Sequence, residues 1–220
     1  MHTEPCPLCT CPKTSLFHRS SLKNLKRDYI RCQFCNLIFV PKIFHLSLTE
    51  QKERYLQHNN DPTDPKYREF LSRFSSELVP KLPPGSKGLD YGSGPEPALA
   101  LLLKESGFAV DTYDLFFQRD KSVLSKSYNF VTCTETIEHF SQPRQEFRTL
   151  YSMLKPKGWL GIMTSMVTDI SRFPDWYYHR DPTHIAFYSE KTMLFIADMF
   201  NLSIFFPREN VILFKNCDLD

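Results

Sequence analysis

The apolar positions of this chain change period along its length. Between residues 65 and 85, Tyr67, Phe70, Leu71, Phe74 and Leu78 recur at helical spacing, and the run stops at Pro83-Pro84-Gly85. That pattern predicts an amphipathic helix with a sharp end. The next stretch, "GLDYGSGPEPALALLLKESGFAVDTYD", opens with a short apolar run at Gly88–Tyr91 and turns through Gly92-Ser93-Gly94. It then predicts a helix over roughly 96–106 and a second strand at Ala109–Tyr113, closed by Asp114. Prolines 95 and 97 suit the open first turn of a helix, whose backbone N–H groups lack partners. Strand, glycine turn, helix, strand and terminal acid are the order of a nucleotide-binding βαβ unit. The glycines let backbone approach a ligand closely, and the acid can hold ribose hydroxyls. Glu96 stands where the dinucleotide fingerprint has its third glycine, which argues against NAD.

The N-terminal segment carries a different signal. Five of the seven cysteines lie in the first 35 residues, as "CPLCTC" and "RCQFC". Cys6 and Cys9 form one C-x2-C pair, and after a 22-residue gap Cys32 and Cys35 form another. Two such knuckles complete the tetrahedral sulfur shell that Zn²⁺ accepts, predicting a small zinc ribbon of structural role with no open ligand position. Cys11 is a spare that competes with Cys9. A module of about fifty residues buries little apolar surface, so the metal would supply much of its folding energy. Residues 1–52 hold eight Lys/Arg against three acids, and the remainder holds 19 against 22. The excess favours an anionic partner but falls short of the basic stripe of a nucleic-acid binder. Lys23, Lys26, Arg27 and Arg31 are expected to be solvated charges. The opening "MHTEPCPLCTCP" has no apolar signal region, and no apolar run nears the ~20 residues that span a bilayer. The expectation is a cytoplasmic protein without membrane contact, its oligomeric state left open.

Asp90-Tyr91-Gly92-Ser93-Gly94 has the D-x-G-x-G form and resembles the first motif of class I S-adenosylmethionine (SAM)-dependent methyltransferases. "YNFVTCTETIEHF" looks like that family's fourth strand and following turn, "FRTLYSMLKPKGWLGIMTSM" like its helix, turn and fifth strand, and "NLSIFFPRENVILFKN" like its closing hairpin. The resemblance implies an α/β, Rossmann-like, seven-stranded methyltransferase sheet. Only 13 residues separate Asp114 from Tyr128, so the sheet is expected to be abbreviated around strand three, with "KSVLS" as a remnant and Asp120 as a candidate adenine-side acid. The implied organisation is a zinc ribbon over 1–45, a connector and helix over 46–85, and a SAM-dependent domain over 86–220. Asp90, Gly92, Ser93, Gly94, Asp114 and Glu135 are the implied cofactor-binding set.

Glu135-Thr136-Ile137-Glu138-His139 follows the predicted fourth strand. In a helical turn, Glu135, Glu138 and His139 would share a face. With His184, from "DPTHIAFYSEKT", they could form a second site for Mg²⁺, Mn²⁺ or another Zn²⁺. The E-x-x-E-H pattern resembles two groups of O-methyltransferases, one acting on small RNA and one in ubiquinone biosynthesis. For both, the resemblance implies a metal that engages substrate oxygens. Glu138, His139 and His184 are therefore the catalytic candidates, either as ligands or, for an imidazole without metal, as general base. Tyr55, His58 and Asn59 are placed to contact substrate or cofactor, and Trp176 to stack on a planar substrate; His179 and Cys133 are expected to be packing residues. The function expected is O-methylation of a small molecule. The alternatives are methylation of RNA or of a sugar carbon, and a non-catalytic adaptor.

Overall fold

The computed structural model of the protein describes residues 4–57 and 60–217. Three short strands, β1 (Thr14–Arg19), β2 (Asp28–Cys32) and β3 (Ile38–Phe39), form the N-terminal module. Helix α1 (Leu48–Tyr55) starts on a capping box in which Ser47 and Glu50 satisfy each other's backbone N–H. Helix α2 (Pro65–Leu78) has Asp64 at its N-cap and proline in its first turn, and buries Leu71, Phe74 and Leu78, the stripe expected from its spacing.

The main sheet begins with β4 (Lys87–Tyr91), crosses over through α3 (Ala98–Glu105) to β5 (Ala109–Tyr113), and continues with β6 (Tyr128–Thr134). After α4 (Pro143–Ser152) come β7 (Leu154–Met163), the short β8 (Ala186–Phe187) and α5 (Glu190–Met199). The hairpin β9 (Leu202–Arg208) and β10 (Val211–Asn216) closes the fold. The strand order is β5-β4-β6-β7-β10-β9. The first four are mutually parallel, while β10 and β9 are antiparallel, the closing hairpin the sequence implied.

The sheet has six strands among the described residues rather than seven. The residues that would form the third strand instead make a tight turn from Asp114 to Gln118 and a 3-10 helix at Lys121–Ser125. Asp120 is spent capping that helix, accepting from the Ser122 N–H at 2.9 Å, and it does not line the cleft described below. The "KSVLS" segment still contributes to the core, since Val123 is buried and its carbonyl accepts from the Tyr128 hydroxyl at 2.9 Å.

The N-terminal module is joined to the sheet domain rather than tethered beside it. β3 pairs with β8, so a strand from beyond residue 180 completes a four-stranded antiparallel sheet in the order β1-β2-β3-β8. Cys6, Leu8, Cys32, Cys35 and Leu37 share one apolar cluster with Ile137, Phe147 and Tyr188. Each fully buried side chain of this size contributes roughly 1.5–3 kcal/mol. No helix among the described residues is long and apolar enough to cross a membrane.

Candidate active site

The cleft lies at the carboxyl ends of β4, β5 and β6, where open α/β sheets hold their ligands. Gly92 adopts φ +78°, and a Cβ there would sit 2.3 Å from the Thr136 methyl group, so no other residue fits without displacing the turn. The Gly92 and Ser93 N–H groups both donate to the Tyr113 carbonyl, at 2.8 and 3.1 Å, pinning the loop to the end of β5. Asp114 locks the other side. Its carboxylate accepts from the N–H of Gly94 at 3.0 Å, of Phe116 at 2.7 Å and of Phe117 at 3.1 Å. Asp90 is buried beneath the loop and accepts from the Thr132 hydroxyl at 2.8 Å; burial pushes its carboxyl up to about 6.

A cavity of about 270 Å³ opens above this loop, bounded by Gly92, Gly94, Asp114, Phe116 and Tyr55. Two observations fit these residues to an adenosyl cofactor. At Gly94 an added Cβ would meet only Asn60 at 4.0 Å, so the backbone faces open space that a ligand can enter. The Ser93 hydroxyl is the one buried side-chain polar atom without a partner among the described residues.

The E-x-x-E-H segment forms a 3-10 turn, Ile137–His139, rather than an α-helical one. Glu135 precedes it with φ +47°, a left-handed conformation that costs about 1–3 kcal/mol for a non-glycine residue. The helical face therefore does not extend back to Glu135. The ligand atoms of Glu138, His139 and His184 lie within 4.8 Å of one another, and Glu135 is outside that group, a correction to the expected four-membered set. Glu135 is enclosed by protein yet open to the cleft, and this enclosure, with Glu138 nearby, pushes its carboxyl well above the usual range.

Both histidines are oriented by backbone. His139 Nδ1 lies 3.0 Å from the Thr183 carbonyl and His184 Nδ1 lies 2.7 Å from the Tyr178 carbonyl. A carbonyl oxygen only accepts, so each neutral ring carries its proton on Nδ1 and keeps the Nε2 lone pair for an ion or a proton. Burial pushes His184 down to about 4, keeping it neutral at pH 7. Glu138 is fully buried and accepts from the Tyr178 hydroxyl at 2.6 Å and from Thr164 at 3.2 Å.

These groups border a second cavity of about 500 Å³ that meets the first at Gly92, Gly94, Glu135 and His139. Arg54 reaches it from α1 and holds Asp181 at 2.8 Å. The other Asp181 oxygen accepts from the Thr183 N–H at 2.9 Å.

Tyr55 lines the first cavity, its ring 5.1 Å from that of His139. His58 and Asn59 lie outside the described residues. Trp176 is not in either cavity. Its ring packs on Phe173, Tyr178 and Phe187, because the 3-10 turns on both sides of it direct it toward the aromatic core under β8, while Tyr177 and Tyr178 line the second cavity. His179 is a packing residue, stacked on Phe173 at 5.1 Å, and Cys133 is fully buried with its thiol pushed well up.

Arg27 overturns its expected solvation. It is 3% exposed and donates to the carbonyls of His179, Asp181 and Pro182 at 2.8, 3.0 and 3.0 Å, and to the Tyr29 hydroxyl at 2.9 Å. The N-terminal module thereby fixes the loop that delivers Thr183 and His184. In the same module the Sγ atoms of Cys6 and Cys35 are 3.5 Å apart and those of Cys9 and Cys32 are 3.4 Å apart, all four within 4.8 Å. A tetrahedral zinc with Zn–S near 2.3 Å has sulfurs about 3.8 Å apart, close to this arrangement. Cys11 is outside the cluster.

A parallel sheet closed by an antiparallel hairpin, with a glycine turn and an acid at adjacent strand ends, defines a Rossmann-like methyltransferase fold. The family described as "Methyltransferase domain" matches residues 62–204, and the chain belongs to it. Two solved structures share the fold. The 1,6-didemethyltoxoflavin-N1-methyltransferase of Burkholderia thailandensis, with bound 1,6-didemethyltoxoflavin and S-adenosylhomocysteine, is 12% identical, with a TM-score of 0.53 over 83% of this chain and 96% of that one. A SAM-dependent methyltransferase from Archaeoglobus fulgidus is 20% identical, with a TM-score of 0.50 over 71% of this chain and 75% of that one. The ubiquinone biosynthesis O-methyltransferase of Pseudomonas savastanoi pv. phaseolicola is 32% identical over 71 residues, covering 32% of this chain and 31% of that relative. The chain thus spans about a third of the length of that curated relative.

Proposed function

We propose that the chain is a SAM-dependent methyltransferase that methylates an oxygen of a small molecule, with a divalent ion held by Glu138, His139 and His184 and a structural zinc held by Cys6, Cys9, Cys32 and Cys35. The observation that carries this reading is the meeting of the two cavities at Gly92, Gly94, Glu135 and His139, beside two imidazoles whose Nε2 lone pairs are free for an ion. Likeness to an O-methyltransferase of ubiquinone biosynthesis supports oxygen as the acceptor atom.

Bound SAM supplies an activated methyl group, and a bound divalent ion lowers the pKa of an acceptor hydroxyl. The chain's part is alignment and proton handling. The Gly92–Gly94 turn and Asp114 hold the cofactor, with Ser93 offering its unpartnered hydroxyl. Tyr178 and Thr164 hold Glu138 in place. With SAM bound, its methyl group would pass to the acceptor oxygen, the carbon–sulfur electron pair staying with sulfur, and solvent or Glu135 would take the hydroxyl proton.

Metal analysis tests the second ion. Under saturating Mn²⁺ the wild type is expected to bind one divalent ion beyond its zinc, and His184→Ala to lose it while keeping both the zinc and its affinity for SAM. Equal metal content in the two proteins would refute the second site and transfer the proton role to the His139 imidazole.

A further inference from the structure

Beyond the acceptor cavity lies a groove of about 440 Å³, walled on one side by Leu22, Lys23 and Leu25 of the β1–β2 loop and on the other by Arg54, Arg180 and Pro182. Arg54 and Arg180 line both hollows, so the groove adjoins the acceptor cavity. No carboxylate among the described residues lines it. Arg54 is committed to Asp181 at 2.8 Å. Arg180 holds only a backbone carbonyl, that of Asp175 at 3.4 Å, and neither Arg180 nor Lys23 has a carboxylate partner among the described residues. The acceptor cavity also has Glu135, Glu138 and Asp90 on its wall.

Carboxylates and imidazoles in the cavity, with unpaired cations in the adjoining groove, suit a ligand that is charged at one end only. We propose that the methyl acceptor is a small anionic molecule, its carboxylate or phosphate held by Lys23 and Arg180 and its reacting hydroxyl extended to Glu138, His139 and His184. This rests on the function proposed above and assigns the N-terminal module a part in recognition, since Lys23 belongs to it. Two unpaired cations flanked by Leu22, Leu25 and Pro182 suit one acidic group. A polyanion gains affinity by neutralising many phosphates, and among the described residues the groove adds only Arg54, already held by Asp181.

Calorimetry on the full chain, saturated with S-adenosylhomocysteine and Mn²⁺, tests this with two matched probe pairs: catechol against 3,4-dihydroxybenzoate, and glycerol against glycerol 3-phosphate. The charged member of at least one pair is expected to bind about tenfold or more tightly than its neutral partner, and the pair that responds identifies carboxylate or phosphate. In K23A/R180A that advantage is expected to fall below about threefold, and rising salt to erode it in the wild type, while S-adenosylhomocysteine affinity stays unchanged. Equal affinities within both pairs, no binding of either anion, or an advantage that survives in K23A/R180A would overturn the proposal. Tighter binding of a single-stranded oligoribonucleotide than of either small anion would overturn it in favour of RNA. If the wild type fails to bind S-adenosylhomocysteine at all, the underlying methyltransferase reading falls, and this proposal with it.

Discussion

If the four-cysteine cluster holds the proposed zinc, removing that ion is expected to unfold the N-terminal module and to disorganise the acceptor side of the cleft with it. The module's secondary structure is three short strands, one of two residues, and its cysteines form part of the apolar cluster that includes Ile137, Phe147 and Tyr188. Structural zinc sites contribute apparent binding energies of about 10–16 kcal/mol, whereas a whole domain is stable by only about 5–15 kcal/mol. Loss of the ion therefore removes a large share of the total. Cys35→Ser, or chelation of the wild type, is expected to lower the thermal midpoint by at least about 10 °C and to reduce near-ultraviolet circular dichroism from the aromatic cluster around Phe173. Chelated protein that retains both its midpoint and its aromatic signal would contradict this account.

Arg27→Ala is expected to be the most damaging single substitution outside the cysteines and the glycine turn. Three backbone carbonyls, those of His179, Asp181 and Pro182, lose their charged donor at once. Orphaned buried acceptors cost about 1–3 kcal/mol each, and with partial relaxation the net loss is about 3 kcal/mol. The damage is directional, because the released segment leads into Thr183, whose carbonyl sets the His139 tautomer, and into His184. Urea denaturation is expected to show the stability loss, and Mn²⁺ titration of the folded variant a weakened second site with SAM affinity retained. Arg27→Lys is expected to recover part of the stability but not the Mn²⁺ affinity, since an ammonium cannot span three carbonyls as a planar guanidinium does. Wild-type stability in Arg27→Ala, or equal loss of SAM and Mn²⁺ binding, would show that the residue does not position this loop.

What the sequence made legible was local. The stripe on α2, the βαβ order through Asp114 and the two cysteine knuckles were readable because short-range spacing determines them. The missing third strand was visible as a shortage of residues, although not as the 3-10 helix that replaces it. The rest depends on contacts distant in sequence. A buried arginine cannot be distinguished from a solvated one until the carbonyls that receive it, more than 150 residues away, are in place. The two-residue pairing of β3 with β8 is too short to leave a pattern. Glu135 shared a face with Glu138 only on the assumption of an α-helical turn, and its left-handed backbone breaks that assumption. Trp176 and Tyr178 are two residues apart in one aromatic segment, and only tertiary packing decides which of them faces the cleft.

The most direct test of the central claim is a calorimetric titration of the full chain with SAM, run on the wild type and on Gly92→Ala. The wild type is expected to bind one SAM per chain in the micromolar range. Gly92→Ala is expected to weaken binding at least about tenfold, because an added Cβ would press against Thr136 at 2.3 Å in a left-handed backbone. No heat of binding at millimolar SAM, or equal affinity in the two proteins, would contradict the assignment of this cleft.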